Sequence, residues 1–232
     1  MRRNGGLALA FHAVFVTFML APIAIVCWVA FTPTGFLSIP VDEFSLRWFK
    51  AIGRYPEFID AFWNSIGLAL ASSVLALAFS VPAALALSRH QFRGREALTA
   101  LFLSPLMIPH VVLGIAFLRF FTQLGLSGSF TGLVLSHIIV VLPFAMRLVM
   151  AATAGMDRSV EHAAVSLGAS DWTVFRRVTL PLIMPGVLSG GVLAFIQSFD
   201  EVTMTVFVAA PGTMTLPVRI DRKSTRLNSS HT

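Results

Sequence analysis

The sequence predicts an all-α membrane protein, a bundle of several helices that cross a lipid bilayer. Three observations favour this fold class. Of the 232 residues, 56% are apolar or aromatic and only 12% are charged, about half the charged share that soluble domains carry. The apolar residues are concentrated in stretches of about 20 residues or more, the length that a helix needs to cross a membrane. The 17 basic residues fall in short clusters between those stretches.

Charge and cysteine content exclude several other classes of protein. The net charge of +6 does not indicate a nucleic-acid partner, because the basic residues lie where loop charges lie in membrane proteins. The single cysteine, Cys27, has no partner for a disulfide or a cysteine metal site within one chain. The sequence holds no metal-ligand spacing of His, Asp and Glu, and no phosphate-binding loop. We therefore expect no catalytic residue, no metal site and no cofactor bound by this chain.

Five stretches are long and apolar enough to span a bilayer. The first, 7–31, follows Arg2 and Arg3 and shows no small-residue cleavage site. We interpret it as a retained anchor, with a cleaved signal peptide as the alternative. The other four spans are 62–87, 97–121, 130–150 and 185–210. Prolines inside them are compatible with a bundle, because neighbouring helices can satisfy the backbone groups that proline leaves free.

The distribution of arginine and lysine predicts a cytoplasmic N-terminus. In this orientation the cytoplasmic segments 1–6, 88–96 and 147–177 hold nine basic residues, whereas the external segment 32–61 holds three. Cytoplasmic loops of membrane proteins carry the excess of positive charge. The count therefore favours the orientation with the N-terminus inside.

The external segment begins with turn residues at 32–35 and then becomes rich in aromatic residues. Aromatic side chains near the end of a span are typical of the membrane interface. A docking surface for an external partner is the alternative. The aromatic residues are Trp48, Phe49, Phe58 and Trp63.

The segment 157–181 is polar enough to lie outside the bilayer, yet it has the pattern of two short helices. Gly168 is placed to end the first helix, and Ser170 is a good N-cap for the second. Such a helix–turn–helix can insert an apolar stripe into a groove on another protein, or it can lie on the membrane surface. In the first helix the stripe consists of Val160, Ala163, Ala164 and Leu167.

This segment resembles the EAA loop of ABC importer permeases. The family pattern is Glu-Ala-Ala, three residues, Gly, nine residues, Ile, one residue and Leu-Pro. The sequence departs from it at His162, where the family usually has Glu, although Glu161 stands next to it. Val178 is a conservative replacement of the isoleucine. The matching positions are Ala163, Ala164, Gly168, Val178, Leu180 and Pro181.

Further stretches are similar to the permeases for spermidine and putrescine. They are Ser104-Pro105-Leu106 with Ile108-Pro109 and 113–116, and then 198–201, 207–212 and 215–220. Relatives in this branch that handle ferric iron and phosphonates share the same stretches. These stretches therefore identify the family more specifically than they identify the substrate class.

The resemblance implies that residues 1–220 form the transmembrane domain of an importer in the bacterial inner membrane, with polyamines as the substrate. It implies as partners a second homologous permease, two cytoplasmic ATPase subunits, a periplasmic binding protein and the lipid bilayer. The ATPases would hold ATP-Mg and engage the loop 157–181, so this chain is not itself an enzyme. The alternatives are an ABC permease for ferric iron or phosphonate, an ion-coupled secondary transporter, and a non-functional truncated fragment.

The last twelve residues, 221–232, do not continue the apolar pattern before them. They contain one aliphatic residue and follow an apolar-rich segment directly. We interpret them as a non-native tail joined after Ile220. The family architecture leads us to expect a sixth span after that residue.

Asp200 and Glu201 interrupt the otherwise nearly apolar stretch 187–210. Acidic side chains inside a membrane are costly, and they usually face a cavity or a partner. We interpret the pair as lining the outer part of a substrate pathway, where carboxylates could replace the lost hydration of ammonium groups. The alternative is that the helix ends here and both acids are interfacial.

Small residues and single histidines in the spans predict packing roles. Gly186 and Gly190 form a Gly-xxx-Gly pair, which lets membrane helices approach closely, with a hinge as the alternative. His110 and His137 lie in or near spans. We interpret them as packing or interfacial groups rather than ligands.

Overall fold

A computed structural model describes residues 5–33 and 43–229, with side chains up to residue 223. Arg2 and Arg3, part of the predicted turn at 32–35 and the last three residues lie outside this description. The described residues form α-helices and helical turns and contain no β-strand, which confirms the all-α fold class. The helices are α1 Gly6–Val29, α2 Arg47–Ile52, α3 Pro56–Arg89, α4 Arg95–Leu103, α5 His110–Gln123, α6 Phe130–Ala154, α7 Ser159–Ser166, α8 Asp171–Val174, α9 Leu180–Phe199, α10 Thr205–Val208 and α11 Leu216–Ser229.

The chain divides into two units, residues 1–59 and residues 60–232. In the first unit, α1 is apolar around its whole circumference and has no buried residue, as expected of a helix surrounded by lipid. After α1, the ring of Phe31 packs against the rings of Phe44 and Phe49 at centroid distances of 5.0 and 5.2 Å. The indole N–H of Trp48 donates a hydrogen bond of 2.9 Å to the carbonyl of Thr32.

In the second unit, α6 and α9 pack against each other at two glycines of α9. A Cβ on Gly190 would lie 3.1 Å from the carbonyl oxygen of Ala145, and a Cβ on Gly186 would lie 2.9 Å from that of Leu148. Backbone atoms cannot move aside as a flexible side chain can. These contacts confirm the packing role that the Gly-xxx-Gly pair predicts.

Buried apolar residues fill the space between the helices of this unit in three clusters. One cluster joins α3, α5, α6 and α10, and another lies between α3, α6 and α9 near Arg89. Between them, small residues allow the close approach of α3, α6 and α9. This middle cluster consists of Ala76, Val141, Ala145 and Ala194.

The predicted third span, 97–121, is broken rather than continuous. Helix α4 passes into a short 3₁₀ turn, Ser104–Leu106, and α5 starts at His110. The two pieces are bent by 98°. Pro105 and Pro109 account for the break, because proline lacks the backbone N–H that would continue the helix.

The predicted fifth span, 185–210, is wrong at its C-terminal end. The helix is continuous from Asp171 to Phe199, with a single π-helical turn at Phe175–Thr179 before α9. It ends at Phe199, with Asp200 as its C-cap. Residues 205–208 form the separate helix α10, so the apolar stretch beyond Glu201 does not extend the span. Four described helices are long and apolar enough to cross a membrane, or five if the bent pair counts as one span.

The backbone of α11 runs from Leu216 to Ser229 and crosses position 220 without a break. The boundary between a native portion and a tail at 221 therefore coincides with no helix end. That boundary, and the sixth span, stay predictions.

Candidate functional site

The segment 157–181 folds as the predicted helix–turn–helix. Gly168 follows α7 with a φ of +86°, a conformation that glycine adopts without steric cost. The hydroxyl of Ser170 accepts a hydrogen bond from the backbone N–H of Thr173 at the start of α8. Before α7, the N–H of Ser159 donates to Asp157 at 2.9 Å, and this hydrogen bond lowers the pKa of the exposed Asp157 carboxyl.

Apolar side chains of this loop point away from the rest of the chain. Leu167 is 89% exposed and Trp172 is 67% exposed. His162 and Ala163 are also exposed, whereas Ala164, Val178 and Leu180 are half-buried. Large apolar groups exposed outside the predicted spans are typical of a contact surface for another protein or for the membrane.

Glu161 differs from the other predicted loop residues because it is 7% exposed. Its carboxylate accepts a hydrogen bond from the hydroxyl of Thr179 and forms an ion pair with Arg89. The Arg89 guanidinium also lies 3.3 Å from the Thr179 hydroxyl. Sequence reasoning missed Arg89 and Thr179, which are 72 and 18 residues from Glu161 along the chain.

A second polar region surrounds the predicted acidic pair. A cavity of about 380 Å³ lies at the end of α9 and reaches the middle of α6. Asp200 is exposed, whereas Glu201 is 6% exposed. The cavity is lined by His110, Val140, Phe144, Gln197, Asp200, Glu201, Val202 and Thr203.

The carboxylate of Glu201 is occupied by contacts within the chain. It accepts hydrogen bonds from the backbone N–H groups of Met204 and Thr205, each at 2.9 Å, and from the Thr205 hydroxyl at 2.7 Å. The imidazole Nδ1 of His110 lies 3.3 Å from the Glu201 oxygen Oε1, which also accepts from Met204. Glu201 therefore anchors the start of α10, and Asp200 is the carboxylate left open to the cavity.

Behind Glu201, a chain of hydrogen bonds crosses the bundle through His137. Its Nδ1 lies 2.8 Å from the Ser198 hydroxyl and its Nε2 lies 3.0 Å from the Thr205 hydroxyl. The Ser198 hydroxyl in turn lies 3.0 Å from that of Ser72 on α3. His137 is fully buried, so its role is to join α6, α9 and α10.

Neither polar region offers a cluster of metal ligands. Among the described residues, no group of three or more His, Cys, Asp or Glu side chains could hold a metal ion. The lining of the cavity combines the open Asp200 carboxylate, the Gln197 amide and the His110 imidazole with the apolar side chains of Val140 and Phe144.

Comparison with known proteins places both regions in one family. Residues 76–228 match the family described as binding-protein-dependent transport system inner membrane component. The chain is 32% identical to the spermidine/putrescine transport system permease protein PotC of Escherichia coli (strain K12), over 94% of this chain and 80% of that protein. It is 38% identical to a probable molybdenum ABC transporter permease protein of Haloferax volcanii, over 72% of this chain and 65% of that protein.

A solved structure has the same fold. It is the crystal structure of a bacterial ABC transporter involved in the import of the acidic polysaccharide alginate. The TM-score is 0.74 at 21% sequence identity, with 95% of this chain and 79% of that chain covered. This similarity concerns the fold alone.

Proposed function

Because this chain belongs to the family of binding-protein-dependent transport system inner membrane components, and is thus the permease subunit of an ABC importer, we propose that it carries polyamines across the bacterial inner membrane. Such subunits transport their substrate and are not enzymes. The orientation is the one that the positive-inside rule favours, with the N-terminus and the loop 157–181 in the cytoplasm. The chain works as a multi-pass subunit beside a second, homologous permease.

In this proposal the loop 157–181, which we call the coupling loop, is the contact with the ATPase subunits. The exposed side chains of Leu167 and Trp172 supply the apolar contact, and Gly168 sets the angle between α7 and α8. Two ATPase subunits bind and hydrolyse ATP-Mg, and their closure moves the coupling loops of the two permeases. A periplasmic binding protein delivers the substrate from the opposite side.

The observation that carries the substrate proposal is the open carboxylate of Asp200 in the wall of the cavity. A polyamine loses water from its ammonium groups when it enters the bundle, and a carboxylate replaces part of that hydration. The neighbouring Glu201 adds to the negative electrostatic potential in the cavity, although its oxygens are already hydrogen-bonded. The similarity to a spermidine/putrescine permease points to the same class of substrate.

A molybdenum oxyanion is the second candidate, and the similarity to the Haloferax permease favours it. An anion would meet the open Asp200 carboxylate, which repels it, and would depend on His110 for a favourable contact. The charge of the cavity therefore supports a cation over an oxyanion.

Uptake by the assembled importer separates the two candidates. We would express the chain with the ATPase, the second permease and the binding protein, and measure ATP-dependent uptake of labelled putrescine, spermidine and molybdate. The proposal predicts polyamine uptake that excess molybdate does not compete. Molybdate uptake without polyamine uptake would show that molybdate, and not a polyamine, is the substrate. Uptake that needs no ATPase would contradict the proposed function as a whole.

A further inference from the structure

We infer that Glu161 makes its contacts within this chain. Together with Arg89 and Thr179 it connects the coupling loop to the ends of two membrane helices, α3 and α9. We call these three residues the loop junction. The inference rests on the proposed function, because the loop has a movement to transmit only if an ATPase drives it. It assigns to Glu161 a positioning role instead of a contact with the ATPase.

The burial of Glu161 separates it from the docking surface. Its neighbours His162 and Ala163 are exposed, as is Leu167 one turn later, whereas the Glu161 side chain is almost completely enclosed. A buried carboxylate that already has an ion-pair partner and a hydroxyl donor is not available to a cytoplasmic partner. The surface that an ATPase can touch is therefore made by other residues of α7 and α8.

The loop junction connects three separate elements. Glu161 lies in the first turn of α7, Arg89 is the last residue of α3, and Thr179 is the last residue of the π-helical turn that leads into α9. Each of the three side chains contacts the other two. A displacement of α7 is therefore passed to α3 and α9 through polar contacts that have a defined geometry.

The two helices of the coupling loop differ in their continuity with the membrane helices, and this difference explains why the connection is needed. Helix α8 continues through the π-helical turn into α9, so the second half of the coupling loop moves with α9. Helix α7 has no such continuity with a spanning helix, since residues 155–158 separate it from α6 and Gly168 separates it from α8. A buried ion pair contributes little net stability, but in some proteins it enforces one arrangement of its partners, which is the property that a mechanical connection requires.

The arginine has a further feature that fits a junction. Its Nε is buried and has no hydrogen-bond partner among the described residues, so the guanidinium depends on Glu161 and Thr179 for its polar contacts. Replacement of Glu161 leaves the half-buried Arg89 cation without its counter-charge. We therefore expect variants of Glu161 and Arg89 to fail in the same step, which is the transmission of the movement of α7 to α3 and α9.

The test uses the full chain in the complete importer. The variants are Glu161→Gln, Glu161→Ala, Arg89→Gln and the double variant Arg89→Gln/Glu161→Gln, with Glu96→Gln as the matched control. Glu96 is an exposed carboxylate in the first turn of α4, on the same side of the membrane in the proposed orientation. The measurements are membrane level, copurification of the ATPase, ATP hydrolysis, and substrate uptake per ATP hydrolysed.

We expect each junction variant to keep its ATPase but to lose uptake severalfold per ATP hydrolysed, and the double variant to be no worse than the single ones. Loss of ATPase copurification by Glu161→Gln but not by Arg89→Gln would overturn the inference, since Glu161 would then touch the ATPase. Uptake at the wild-type level in both single variants would also overturn it. Failure of the wild-type chain to bind an ATPase would instead contradict the proposed function.

Cross-linking keeps the inference testable if a variant lowers the membrane level. Cys27 is the single cysteine, so Cys27→Ser gives a background for the pair Arg89→Cys/Glu161→Cys. A bifunctional thiol reagent as long as the two removed side chains should cross-link this pair. It should not cross-link a control pair, Arg89→Cys/His162→Cys, to the same extent. Equal cross-linking of the two pairs would contradict the buried position of Glu161.

Discussion

The imidazole Nε2 of His137 lies 3.0 Å from the hydroxyl of Thr205, and this contact joins the interior of α6 to the first residue of α10. The same Thr205 donates from its backbone N–H and its hydroxyl to Glu201. The buried polar chain therefore fixes the segment that follows α9. Asp200, the residue before Glu201, is left as the carboxylate that is open to the cavity.

Replacement of His137 should destabilise the bundle. His137→Leu removes both hydrogen bonds, and the hydroxyls of Ser198 and Thr205 keep only their contacts with Ser72 and Glu201. The cost is about 0.5–1.5 kcal/mol for each hydrogen bond lost. The midpoint of thermal unfolding in detergent should fall. His90→Leu is the control, because His90 is exposed. Equal midpoints for the two variants would contradict the role of this chain of hydrogen bonds.

Glu201 should matter for stability more than for the recognition of substrate. Glu201→Gln replaces one acceptor oxygen by an amide donor, so the backbone N–H donors of Met204 and Thr205 lose one of the two oxygens that accept from them. We expect the free energy of unfolding to fall by about 1–3 kcal/mol. The measurement is denaturation in detergent beside Asp200→Asn, which should keep the stability of the wild type. If Glu201→Gln were fully stable and impaired only in uptake, the glutamate would be a ligand of the substrate.

A larger side chain at Gly190 should prevent the close packing of α6 and α9. Gly190→Leu places carbon atoms against the backbone of Ala145, which cannot move aside, and overpacking of this kind costs about 1–3 kcal/mol or more. The level of folded protein in the membrane should fall. Ser189→Leu introduces the same side chain at an exposed position of α9 and should be tolerated. Equal membrane levels of the Gly190→Leu and Ser189→Leu variants would show that α9 is free to shift away from α6.

A charge on the exposed apolar surface of the coupling loop should prevent ATPase binding. Leu167→Glu changes an 89% exposed side chain, so folding should be unaffected. Copurification of the ATPase should fall, because a charged group would have to be buried without a partner. Leu124→Glu, on the turn between α5 and α6, is the control. Normal copurification with Leu167→Glu would move the docking surface elsewhere.

Local signals predicted the coupling loop well. Gly168 ends α7, and Ser170 caps α8, because each of these effects depends on a few neighbouring residues. The Gly-xxx-Gly pair likewise predicted close packing without identifying the partner helix. The resemblance to ABC importer permeases rested on this same loop, and the family match confirms it.

Long-range contacts explain what the sequence could not predict. The ion pair of Glu161 joins residues 72 positions apart, and the contact between His110 and Glu201 joins residues 91 positions apart. The end of α9 at Phe199 follows from the capture of the Glu201 carboxylate by α10, which apolar composition does not reveal. The bend before His110 could have been predicted, since two prolines lie within five residues of each other.

The most direct test of the central claim is ATP-dependent putrescine uptake by the assembled importer carrying Asp200→Asn, beside the wild type and Asp60→Asn. Asp60 is an exposed carboxylate outside the cavity lining, so it controls for the loss of one negative charge. We predict that Asp200→Asn loses uptake while the assembly of the complex and the affinity of the binding protein stay unchanged. Uptake by Asp200→Asn at the level of the wild type and of Asp60→Asn would contradict a polyamine pathway through this cavity.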